Sequence, residues 1–81
     1  MSSKENLKIS ISQCKASRGF LGWSQKDLAK MVGCAEKTIS DFEKGNREAQ
    51  ARTLKDIRTT FENEGIIFEE NDEFLTVRLK K

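Results

Sequence analysis

The sequence predicts a mainly α domain: four short helices closed by a C-terminal β-hairpin. Three observations carry that expectation. Apolar residues keep a helical spacing between residues 11 and 61. Glycines at 22, 33, 45 and 65 interrupt it, and beyond Gly65 the period shortens to two. At 81 residues the chain is one small domain with a modest core.

Residues 1–9 are polar and are expected to be a flexible N-terminus, although the alternation from Leu7 to Ile11 also fits a short strand. The first helix starts after Ser10. Ser10 and Gln13 form the S-x-x-Q capping box, in which each side chain satisfies the other residue's free backbone N–H. Ile11, Cys14, Phe20 and Leu21 are its expected buried side, and Gly22 ends it. Ser24 caps a second helix, residues 25–32, with Leu28, Ala29 and Val32 on one face. A third helix over 36–44 buries Ile39 and Phe42 and stops at the Gly45-Asn46 turn signal. A fourth, over 51–64, places Leu54, Ile57 and Phe61 on one stripe before Gly65.

Residues 66–70 and 73–79 then read as strands joined by a two-residue turn at Asn71-Asp72. Phe74, Thr76 and Arg78 fall on one face, and Leu75, Val77 and Leu79 on the other. A lone hairpin is marginal in water, so this one must pack on the helices or on another chain.

The second and third helices are each too short to stand alone, so they must hold one another by packing. Ala29 is small where they would cross. Gly33 can adopt the left-handed conformation that turns the chain sharply, and Val32 and Cys34 plug the turn. The result is a helix-turn-helix within residues 10–65.

Composition narrows the chemistry. There is no histidine, which removes His-based triads, His metal ligands and a histidine pH switch. Cys14 and Cys34 are too few for a disulfide scaffold and too far apart for a zinc site. With no export or membrane segment in the polar N-terminus, they suggest a reducing cytoplasm. No phosphate-cradling glycine motif occurs, and nothing converges on a catalytic centre, so neither an enzyme nor a cofactor is expected. The charge is unevenly spread. Residues 1–60 hold twelve Lys/Arg against seven Asp/Glu (+5), and residues 61–81 hold three against six (−3). A basic body with an acidic tail suits a polyanion-binding face kept apart from another surface.

The stretch LGWSQKDLAKMVGCAEKTISDFEKG resembles the helix-turn-helix of the Xre and lambda-type phage repressor family. The likeness continues through ARTLKDIRTTFENEGIIF into a small bacterial regulator subgroup ending in a GVRL-like strand, here Thr76-Val77-Arg78-Leu79. It covers about residues 10–81. Two departures stand out: Ala35, where the family often has a capping Ser or Thr, and Ala49, where proline is common. The resemblance implies a compact lambda-repressor-like DNA-binding domain over 10–65. The hairpin of 66–81 follows it as a candidate dimerisation element.

In such a motif the second helix enters the major groove. Glu36, Lys37, Ser40 and Asp41 avoid the core and are the candidate base readers. Lys37 suits guanine O6/N7, Glu36 suits cytosine N4, and Ser40 suits either base type. Asp41 either reads a cytosine or orients Lys37. Gln25 opens the second helix, and the resemblance implies that it contacts the DNA backbone. Lys26, Thr38, Lys44, Asn46 and Arg47 are further phosphate candidates. Arg18 and Glu43, by the same resemblance, form a semi-buried structural ion pair. Cys14 and Cys34 read as core thiols, and Trp23 as a staple at the helix end.

A sequence-specific regulator, most simply a repressor binding double-stranded DNA as a homodimer, is the expected function. The rival expectation is an antitoxin or adaptor whose acidic tail binds a protein partner.

Overall fold

A computed structural model describes residues 9–46, 49–70 and 75–80. The elements are α1 (Ile11–Leu21), α2 (Gln25–Val32), α3 (Glu36–Lys44), α4 (Ala51–Asn63), β1 (Ile66–Glu70) and β2 (Leu75–Leu79).

Helix α1 begins with a complete capping box. Ser10 Oγ accepts from the Gln13 N–H at 3.1 Å, and Gln13 Oε1 accepts from the Ser10 N–H at 2.9 Å. The folded body starts one residue before that box. Ile9 was expected in the flexible segment, yet it is buried in the core. It stands just before the cap, and Cys14 stands at the fourth helical position; both belong to the core. That is the placement of a hydrophobic staple, which fixes how the chain enters a helix. The alternative strand over Leu7–Ile11 is partly outside the described residues, and Ile11 is helical.

Of the buried side expected for α1, Cys14 is buried and Ile11 and Leu21 pack against the core, but Phe20 does not. Gln13, Cys14 and Ser17 are buried, while Phe20 is 50% exposed. The helix turns its 10–13–14–17–21 stripe inward, and Phe20, in line with Gln13 but near the end of the helix, stands at the edge of that stripe beside Gln13 and Val77. The polar members tolerate burial because they are satisfied locally: Ser17 Oγ donates to the Gln13 carbonyl at 2.8 Å.

Helix α4 lies against α2 and β1. Ile57 and Phe61 are fully buried, with Leu54 partly so. Phe61 is the hub of an aromatic cluster: the Trp23 ring stacks on it at 5.9 Å between centroids, and Phe68 meets it edge-on at 6.4 Å. Trp23 thus joins the start of α2 to α4. Arg58 lies over the outer side of Phe68, 5.0 Å from the ring centroid.

The strands pair antiparallel, with Ile66 opposite Leu79, Phe68 opposite Val77 and Glu70 opposite Leu75. That register sets Glu70 opposite Leu75, where the expected turn at residues 71–72 would set it opposite residue 73. The Asn71-Asp72 turn itself, and Phe74, lie outside the described residues. Because the change in register is even, Val77 and Leu79 stay on the same face as Ile66 and Phe68. Ile66, Phe68 and Val77 pack that face against the helices, with β2 on α1 and β1 on α4. Gly65, at φ +95°, makes the turn from α4 into β1, and its carbonyl accepts from the Lys80 N–H at 2.8 Å.

Candidate nucleic-acid interface

The α2–turn–α3 unit is built by local rules. Ser24 caps α2: its Oγ accepts from the Asp27 N–H, and Asp27 Oδ2 accepts from the Ser24 N–H, both at 3.0 Å. The second of these bonds holds the Asp27 carboxyl below its ordinary range. The capping box occupies the N–H groups of Ser24 and Asp27. Those of Gln25 and Lys26 lie between them in the first turn, where a helix has no carbonyl of its own to offer. Gly33, at φ +88°, ends α2, and its N–H and that of Cys34 both donate to the Ala29 carbonyl. A Cβ at Gly33 would meet nothing within 4 Å, so the left-handed backbone alone sets the demand for glycine there.

Helix α3 starts without a side-chain cap, because Ala35 has none to give. It buries Ile39, Phe42 and Glu43. Glu36, Lys37 and Lys44 are exposed on its outer side, with Ser40 and Asp41 half-buried between them. Lys37 Nζ lies 3.3 Å from Asp41 Oδ2, one helical turn on; the Lys37 side chain is 81% exposed and that of Asp41 only 20%. Thr38 is half-buried and lines the groove between α3 and the start of α4.

Glu43 is the junction that fixes this helix. Its Oε1 accepts from Arg18 Nη2 at 2.7 Å and from Gln25 Nε2 at 3.1 Å; its Oε2 accepts from Arg18 Nε at 2.8 Å and from the Cys14 thiol at 3.1 Å. The fork-on-fork geometry from Arg18 is the strong form of such a pair. Arg18 Nη1 also donates to the Trp23 carbonyl at 3.0 Å. Burial opposes ionisation of Glu43, but the bonds from Arg18, Cys14 and Gln25 outweigh it and hold the carboxyl below its ordinary value. Burial, with the Glu43 carboxylate beside it, pushes the Cys14 thiol well above its usual range, so it is a donor rather than a nucleophile. One carboxylate thereby ties α1, α2 and α3 together.

Of the phosphate candidates, Gln25 is half-buried and held by Glu43, which sets the start of α2 beside the last turn of α3. Lys26, Lys44 and Asn46 are exposed around that end, and Arg47 lies outside the described residues. On the other flank, a groove of about 430 Å³ separates α3 from the start of α4. Cys34, Lys37, Thr38 and Asp41 line it on one side, with Gln50 and Thr53 on the other. Helix α4 also starts without a side-chain cap. Gln50 and Thr53 escape sequence reasoning because, although the helix start at 51 is expected, only the fold places it beside α3. The outer face of α3 is thus bracketed by two helix N-termini, whose free N–H groups and dipoles favour anions.

Residues 18–62, more than half of the chain, match the family model HTH_3, described as helix-turn-helix. No curated protein matches the chain. No helix among the described residues is long and apolar enough to cross a membrane.

Proposed function

Since the chain belongs to the helix-turn-helix family of Xre and lambda-type DNA-binding regulators, we propose that it is a sequence-specific transcriptional repressor. In this reading α3 lies in the major groove. The observation that carries it is the outer face of α3, where Glu36, Lys37, Ser40 and Asp41 offer both donors and acceptors between two helix N-termini. Nine residues make a helix roughly 13.5 Å long, close to the width of about 12 Å of the groove it would enter. Gln25, Lys26, Thr38, Lys44, Asn46 and Arg47 act on the phosphates, which set register and supply the salt-dependent part of the affinity.

Selection of bound sequences from a random DNA pool, followed by titration at several salt concentrations, tests this reading. Affinity falls steeply with salt, and Lys26→Ala lowers the salt slope by about one while leaving the preferred sequence unchanged. Lys37→Ala changes the preferred sequence. A protein with no salt-sensitive DNA binding would end the proposal.

One such domain presents a small interface, so a dimer on a two-fold related site is part of the proposal. The outward side of the hairpin supports it: Ile67 is 37% exposed there, and among the described residues the two-stranded sheet has no third strand. Deleting residues 66–81 is an unsuitable test, because Ile66 and Phe68 belong to the core. Sedimentation of the wild type and of Ile67→Lys is the cleaner one. A dimer dissociated by the substitution is expected, and a monomeric wild type that stays monomeric on operator DNA would refute it.

A further inference from the structure

The geometry points to Lys37 and Asp41 acting as one unit that reads a single G·C base pair. This inference rests on the major-groove reading above. In the major groove a G·C pair presents, in order, the acceptors N7 and O6 of guanine and then the N4 amino donor of cytosine. O6 and N4 are joined by a base-pairing hydrogen bond and so lie about 2.9 Å apart. Lys37 Nζ and Asp41 Oδ2 are a donor and an acceptor 3.3 Å apart on the same outer face of α3. The two spacings match. Lys37 can donate to guanine O6 and N7 while Asp41 accepts from cytosine N4, and the contact between the two side chains is kept.

The arrangement also accounts for a carboxylate on a helix that approaches DNA. Paired with Lys37, Asp41 adds no net charge at the interface. A pair one helical turn apart whose lysine is 81% exposed contributes little to helix stability, so holding the helix together is a weak reason for it. The unit is selective as well. In the same frame an A·T pair sets the adenine N6 amino group against the Lys37 ammonium and the thymine O4 carbonyl against the Asp41 carboxylate. Both contacts then become repulsive.

The test is sequence selection from a random DNA pool with the full chain, in four forms: wild type, Lys37→Met, Asp41→Asn and the double variant. Urea unfolding shows that each is folded. The wild type enriches one G·C pair in its half-site roughly tenfold over A·T. Each single variant loses most of that preference at the same position, and the double variant loses no more than either single one. An Asp41→Asn protein that keeps the preference overturns the inference. So do losses at two different positions, or an enriched A·T pair. If the wild type shows no salt-sensitive DNA binding, the major-groove reading fails before this question is reached.

Discussion

Replacing Arg18 with methionine keeps most of the side chain's length and removes its charge, leaving Glu43 buried with only the Cys14 thiol and the Gln25 amide. The Glu43 side chain is 2% exposed and that of Arg18 20%, so the two partners of the pair are not equivalent. Breaking a buried pair from one side typically costs about 3–5 kcal/mol. Partial access of water to the Arg18 end lowers this to about 2–3 kcal/mol here. A domain of 81 residues has roughly 4–12 kcal/mol in hand, so the loss is large, near 10–20 °C in melting temperature. Glu43→Gln keeps an acceptor for Gln25 and strands the more exposed Arg18 and the weakly donating Cys14 thiol but leaves no buried charge, so it should cost less. Acidity adds a second readout. In the wild type Glu43 titrates below its ordinary value of 4.5. Its contribution is therefore complete above that value and is lost as pH falls through the lower folded value. In Arg18→Met the lowering from the guanidinium is gone and burial favours the protonated acid. The gap between variant and wild type should then narrow as pH falls from 7 toward 4.5. Urea unfolding followed by Trp23 fluorescence suits the measurement, since Trp23 is the single tryptophan and is stacked on Phe61. An Arg18→Met cost below that of Glu43→Gln, or a gap that does not change with pH, would refute the account.

Three further outcomes follow from the same geometry. Ala35 already has the extended backbone of a helix cap, so Ala35→Ser should raise stability by about 1 kcal/mol in urea unfolding, and no gain would mean that a cap bond cannot form there. Gly33→Ala should lower stability by about 1–2 kcal/mol through its positive φ alone, with Gly33→Asn milder; equal losses would point to packing instead. Cys34 is half-buried and Cys14 fully so, with both thiols raised by burial. A thiol reagent should label Cys34 first and Cys14 only at the rate of global unfolding, and comparable rates would contradict the Cys14–Glu43 bond.

The helices were legible because their ends are written in local code. Ser10, Ser24, Gly22, Gly33 and Gly45 mark caps that depend on a few adjacent residues. What went unread depends on residues far apart. Phe20 looked like core because it is apolar; the inner stripe of α1 instead passes through Gln13 and Ser17, which local hydrogen bonds make fit for burial. Ile9 looked like tail because its neighbours are polar. The hairpin register sets Val77 opposite Phe68 and against the core, a packing relation between distant elements that turn composition does not encode. At the site, the outward residues of α3 follow from its period. Glu43, by contrast, looks like one more surface charge, and only the resemblance paired it with Arg18. The Cys14 thiol bond to that carboxylate had no sequence signal, because it exists only where three helices meet.

Strand β2 packs on α1, the first helix to be made, and β1 carries Phe68 to the ring that Trp23 already covers. A chain leaving the ribosome can therefore form all four helices and still show water one side of Phe61 and of α1. The last cooperative step waits for residues 75–79, so the four helices reach their finished packing only once β2 has closed over α1.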